Sequence, residues 1–349
     1  MSSRALLLAC GSIGLLGACA AADRLGNTDQ PVVYGVDDRQ DVYAFADSTW
    51  AARANEVSAV LIGFGNIDQT NPGNVQLPTA TLGADFGLCP DERFASQPDP
   101  GYCSATLIAP DLMLTAGHCV SPGDCASTGF VFDFSMTSAT TLHTITADDV
   151  YRCQAIVVEN EDGGGADYAV VRLDREVSGR TPAAVASSLA VLAEGTGVTV
   201  QGYPSGIPLQ VDDGGTVREG HPEDPQFFVA NTDTFGGNSG SGVFRNDTGQ
   251  LVGILVRGEN DYVQDGDCTR VNVCPSDGCR GEDSTYAFRA IEDLCTTAPE
   301  PGLCACGDGT CDAGSGETTA TCALDCGAAC GDGSCNGDES PLSCSDDCG

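Results

Sequence analysis

The sequence predicts an all-β body followed by a small, disulfide-rich C-terminal region. Three observations carry that prediction. Between Val57 and about Cys295, short apolar or alternating runs are separated by turns rich in Gly, Pro, Asn and Asp. Helical periodicity is hard to find before Ala290–Cys295, where a short terminal helix is expected. After Thr296 apolar residues nearly vanish and Gly, Asp and Cys dominate. So many short strands in one stretch suggest a pair of barrels or a sandwich.

The elements follow in chain order. Met1 to Ala22 has one early charge, Arg4, then a leucine-rich apolar run, then small residues. That pattern reads as a signal peptide, too short and too weakly flanked for a spanning helix. Its end has two readings. Leu16-Gly17-Ala18-Cys19 resembles a bacterial lipobox, which makes Cys19 the lipidated first residue; otherwise an ordinary signal peptidase cuts after Ala20 or Ala22. The lipobox is the preferred reading. The protein is then expected to be exported, at the outer surface or in the periplasm if lipidated and secreted otherwise. A membrane is expected to be touched only through that lipid. Residues 23–55 are polar and read as a lead-in crossing the surface before the core begins. Strands are expected at Val57–Phe64, Ser104–Ala109, Leu112–Thr115, Phe130–Phe134, Tyr151–Val158, Tyr168–Leu173, Val198–Gly202, Gln226–Ala230 and Leu251–Val256.

The region 298–349 holds two copies of one unit. Cys306-Gly-Asp-Gly-Thr-Cys311 with Cys322 and Cys326 is repeated as Cys330-Gly-Asp-Gly-Ser-Cys335 with Cys344 and Cys348. Units this small cannot bury a core, so two disulfides per unit are expected. Calcium held by Asp308, Asp312, Glu317, Asp332, Asp338 and Glu339 is the alternative, although their spacing does not match an EF-hand loop. No other metal or cofactor is expected.

Composition limits the partners. Fifty acidic residues against 15 basic ones, all Arg, give a formal charge of -35. A nucleic acid or an anionic membrane surface is a poor partner for such a chain. Twenty cysteines suit an oxidising compartment rather than a reduced cytosol.

Three segments carry chemistry. In the first, two apolar strands meet at Pro110-Asp111 and end in Thr115-Ala116-Gly117-His118-Cys119. The other histidines, His143 and His221, sit in unremarkable polar surroundings. In the second, Asp167 precedes the apolar run Tyr168–Leu173, with Asp162 and Asp174 as rivals. In the third, Gly236-Gly237-Asn238-Ser239-Gly240-Ser241-Gly242 brackets a serine with glycines, which suits a tight loop exposing a hydroxyl. Ser241 is the rival serine.

Together these segments resemble the histidine, aspartate and serine motifs of the trypsin and chymotrypsin superfamily. The resemblance covers about residues 31–295. It implies a chymotrypsin-like double six-stranded β-barrel over 56–297 and a Cys103–Cys119 disulfide closing the histidine loop. It also implies a His118–Asp167–Ser239 triad and an oxyanion hole from the N–H groups of Gly237 and Ser239. The chain order His, Asp, Ser is that of this superfamily rather than of subtilisins or α/β-hydrolases. Asn238 and the segment Val33-Tyr-Gly-Val-Asp-Asp-Arg39 look more like the bacterial glutamyl endopeptidase-like branch.

Specificity stays open among a basic, an acidic and some other residue before the scissile bond. Asp233 occupies the place that binds Arg or Lys in trypsin. Thr234 matches the glutamyl-type branch, but Leu255 stands where that branch keeps a His. Arg257 offers a charge for an acidic residue. An insertion at Glu259–Asp283, with Cys268, Cys274 and Cys279, is expected to be disulfide-bonded and to restrict access. The function expected is a serine endopeptidase acting on peptides or proteins as a monomer. A lapsed protease-fold adhesion protein and an esterase-like acyl hydrolase are the alternatives.

Overall fold

The computed structural model describes residues 33–186 and 191–300 and, beyond them, 302–304, 319, 326–327, 330–331, 334–335 and 344–348. The signal segment, Cys19, the lead-in up to residue 32, Cys306, Cys311, Cys322 and the six acidic residues considered for calcium lie outside the described residues.

Twelve strands build the body. The first six are β1 (Ser58–Gly63), β2 (Cys103–Ala109), β3 (Leu112–Thr115), β4 (Thr128–Val131), β5 (Val150–Glu161) and β6 (Asp167–Leu173). They close into a barrel in the order β1-β2-β3-β6-β5-β4, with β4 returning to β1. The next six are β7 (Gly197–Gly202), β8 (Gln210–Glu219), β9 (Phe227–Ala230), β10 (Gly242–Arg245), β11 (Leu251–Arg257) and β12 (Glu282–Tyr286). Their ring runs β7-β8-β9-β12-β11-β10 and closes from β10 to β7. The two rings have the same connectivity strand for strand. This is a double six-stranded barrel of the chymotrypsin type.

Closure removes the unpaired edges that short strands would otherwise expose. The interiors are filled by what the sequence supplies. Leu61, Leu107, Leu112, Leu114 and Phe130 are wholly buried in the first barrel, and Val198, Phe228 and Val243 in the second. Each such side chain contributes about 1.5–3 kcal/mol through burial.

Two helices strap the barrels. Helix α1 (Ser48–Val57) was not expected, since the lead-in reads as irregular. Asp47 starts it by accepting the backbone N–H groups of Thr49 and Trp50 at 2.8 and 3.3 Å. Trp50 then packs edge-on against Phe244, with ring centroids 6.1 Å apart, and also touches the cluster holding Val60 and Tyr203. Helix α2 (Ala287–Thr297) buries Ala287, Ala290, Ile291 and Leu294, one face at helical spacing. That face joins the first barrel's core, so the chain crosses back from the second barrel. A Cys295–Cys304 disulfide fixes its end.

Other disulfides follow the loops. Cys103–Cys119 closes the segment around β3, and Cys125–Cys153 ties the following turn to β5. In the insertion, Cys274 pairs with Cys279, and Cys268 reaches Cys89 in the β1–β2 connection. In the second C-terminal unit, Cys330 pairs with Cys344 and Cys335 with Cys348.

Candidate active site

The three segments singled out in the sequence meet between the barrels. His118 lies in a single 3-10 turn, Gly117–Cys119, at the end of β3. Asp167 is the first residue of β6, which pairs with β3, so the sheet itself sets their separation. Ser239 lies in the turn before β10. His118 Nδ1 is 2.7 Å from Asp167 Oδ2, and His118 Nε2 is 2.8 Å from Ser239 Oγ. The rivals His143, His221, Asp162, Asp174 and Ser241 take no part in this chain of contacts.

Asp167 is fixed from three sides. Its Oδ1 accepts the N–H groups of Gly117 at 2.6 Å and His118 at 3.2 Å, and its own N–H donates to Thr285 Oγ1 at 3.0 Å. A carboxylate held this way presents Oδ2 to the imidazole. The proton of His118 then belongs on Nδ1, which leaves Nε2 to accept from the Ser239 hydroxyl.

The serine turn needs its glycines. Gly240 has φ +84°, and a Cβ there would stand 2.1 Å from the Ser104 carbonyl oxygen. Gly237 has φ +89°, and a Cβ there would meet the Gly206 nitrogen at 2.5 Å. Ser104, wholly buried on β2, staples the turn: its N–H donates to the Ser239 carbonyl at 2.8 Å and its Oγ to the Gly237 carbonyl at 2.8 Å.

The Gly236 carbonyl accepts the N–H of Ser205. Because a trans peptide holds C=O and N–H antiparallel, the Gly237 N–H points away from Ser205. The Gly236 N–H donates to Asp261 Oδ2 at 2.9 Å. Ser205, Asp261, Ser104 and Thr285 were not legible in the sequence, since each acts on a partner far along the chain.

Residues 103–254 match the family model of the trypsin-like peptidase domain, a span that holds His118, Asp167 and Ser239. The chain carries a trypsin-like peptidase domain. A search of curated proteins gave no match. Among solved structures, a Glu endopeptidase in complex with MPD is similar at 20% identity, with TM-score 0.44, over 77% of this chain and 100% of that one. The inactive form of the Rv3671c protease is similar at 14% identity and TM-score 0.42, over 77% of this chain and 100% of its own, and an inactive mutant of Rv3671c from M. tuberculosis H37Rv at 13% identity and TM-score 0.41, over 78% and 98%.

The residues expected to line the specificity pocket are engaged within the peptidase domain. Asp233 is buried, and its carboxylate accepts the N–H groups of Tyr34 at 2.7 Å and Asp38 at 2.8 Å. Burial pushes its pKa up to about 6, against the pull of those two N–H groups. Thr234 Oγ1 donates to the wholly buried Glu282 at 3.1 Å, and the Tyr34 hydroxyl donates to the same carboxyl at 2.9 Å. Burial holds the Glu282 carboxyl well above the usual range. Leu255 is wholly buried. Arg257 pairs with Asp283 at 3.2 Å and donates to the Gly165 carbonyl at 2.8 Å.

Proposed function

We propose that this protein is an exported serine endopeptidase that hydrolyses peptide bonds through an acyl-enzyme on Ser239. The observation that carries the reading is the unbroken chain of contacts Ser239–His118–Asp167. A serine hydroxyl is a weak nucleophile. His118 Nε2 takes its proton as Oγ attacks the scissile carbonyl carbon, and returns it to the leaving amine. Asp167 holds the imidazole tautomer and stabilises the imidazolium. The N–H groups of Gly237 and Ser239 receive the developing oxyanion. Water then attacks the acyl-enzyme by the same relay in reverse.

Export is supported by the disulfides and by the signal-like start of the sequence, with Cys19 as the residue a lipid would occupy. The protein is read as a monomer. In specificity, Asp233 and Arg257 both have their charges met by the protein's own groups. The preference for the residue before the scissile bond is therefore not set by an ion pair to either one.

The test is digestion of a mixed peptide library, with the new termini read by mass spectrometry and Ser239→Ala as control. Cleavage absent from the control supports the reading. An Arg or Lys preference that disappears in Asp233→Asn would contradict the specificity statement. A folded protein that cleaves nothing would move the adhesion-protein reading forward.

A further inference from the structure

The insertion between β11 and β12 touches the serine turn. Its first part reaches under the serine turn. Asp261 accepts the Gly236 N–H at 2.9 Å, and the Tyr262 hydroxyl lies 2.7 Å from Ser205 Oγ, the residue whose N–H holds the Gly236 carbonyl. The Tyr262 ring packs on Phe235 and Phe86, with centroids 5.6 and 5.0 Å apart. Both polar groups of Gly236 are thus gripped, one directly by the insertion and one through Ser205. Fixing the Gly236 carbonyl fixes the N–H of Gly237, because the two belong to one planar peptide.

The manner of the contact argues that it has a purpose. The second carboxyl oxygen, Asp261 Oδ1, is buried without a hydrogen-bond partner. A buried carboxyl with one oxygen unmet is a cost that the fold carries. Around it lie Arg39, Glu282 and Tyr262. A Gly-Gly pair has many backbone conformations available, so without an external grip the peptide between Gly236 and Gly237 is free to turn over.

We propose that Asp261 is a positioning residue that fixes the adjoining Phe235–Gly236 peptide, so that Ser205, backed by Tyr262, can hold the Gly236 carbonyl and with it keep the Gly237 N–H facing the oxyanion. The assignment rests on the serine-peptidase reading. The insertion is then part of the catalytic support, and the Cys89–Cys268 disulfide anchors it to the first barrel.

The experiment compares Asp261→Ala and Asp261→Asn with the wild type. The oxyanion contact forms fully only in the transition state, so Asp261→Ala should lower kcat by about 10²-fold while KM stays within about threefold. Affinity for a peptide aldehyde, which forms a tetrahedral adduct on Ser239, should fall in parallel. Asp261→Asn keeps a carbonyl oxygen for the Gly236 N–H and should retain most of the activity. Hydrogen exchange on the wild type needs no variant and should find the Gly236 amide protected. An exchange rate at Gly236 like that of an exposed loop would overturn the proposal, as would unchanged kcat and aldehyde affinity in Asp261→Ala. If Asp261→Ala does not fold, the Gly236 exchange rate and the activity of Asp261→Asn decide. A wild-type Ser239 inert toward substrate and aldehyde alike would instead sink the peptidase reading, and the exchange result would still judge the Asp261 contact.

Discussion

At the scale of single residues, the informative substitution is Asp167→Asn. The asparagine oxygen can still accept from the Gly117 and His118 N–H groups, so the local backbone should stand. Its amide group then faces His118 Nδ1, which must become the acceptor. The imidazole proton moves to Nε2, where it can no longer accept from Ser239. We expect kcat to fall by roughly 10⁴, the loss seen when the same change is made in chymotrypsin-type triads, with the melting temperature nearly unchanged. Steady-state kinetics beside a thermal melt checks both halves. His118, Asp167 and Ser239 could be read from the sequence because each lies in a motif of a few consecutive residues. Tyr34, Ser205, Asp261 and Glu282 could not. Tyr34 meets Asp233 across 199 positions, and no local pattern announces such a contact.

At the scale of elements, the strands were legible and the first helix was not. Runs such as Val170-Val171 and Leu251–Val256 combine β-branched residues with turn-rich borders, which is what a closed barrel requires. Helix α1 has only Ala54 and Val57 buried among its ten residues, so it lacks the apolar stripe that betrays a helix in sequence. Its existence depends on a cap and on tertiary packing of Trp50. Asp47→Ala should therefore cost about 1 kcal/mol. A urea titration should show a lower midpoint with an unchanged slope, and an unchanged midpoint would deny the cap its role. The ring connectivity of either barrel is beyond sequence reading, since pairs such as β4 with β1 join strands separated by whole loops.

At the scale of the whole molecule, acidity shapes stability. Burial holds the carboxyls of Asp212, Asp261 and Glu282 well above their usual range, and lifts Asp233 and Asp99 each to about 6. Asp37 runs the other way: burial pushes it up, but Arg39 and Arg93 outweigh that and lower it. For a raised carboxyl, the folded state binds more protons than the unfolded state between the two pKa values. Stability therefore falls as pH rises through that window. For Asp233 the window runs from about 4 to about 6, and the loss is on the order of 3 kcal/mol. A formal charge of -35 adds repulsion in the same direction. The melting temperature should be higher near pH 5 than at pH 7, and Asp212→Asn should flatten the fall. A protein most stable at neutral pH would contradict this account of the buried acids.

The most direct test of the central claim is chemical. The purified protein, with its disulfides intact, is treated with a fluorophosphonate and the adduct is mapped by mass spectrometry, with Ser239→Ala and His118→Ala alongside. Labelling of Ser239 alone, absent from both variants, is the predicted result, because phosphonylation needs the activated hydroxyl. A folded protein that takes no label, or takes it at Ser241 or elsewhere, would contradict a His118-activated nucleophile at Ser239.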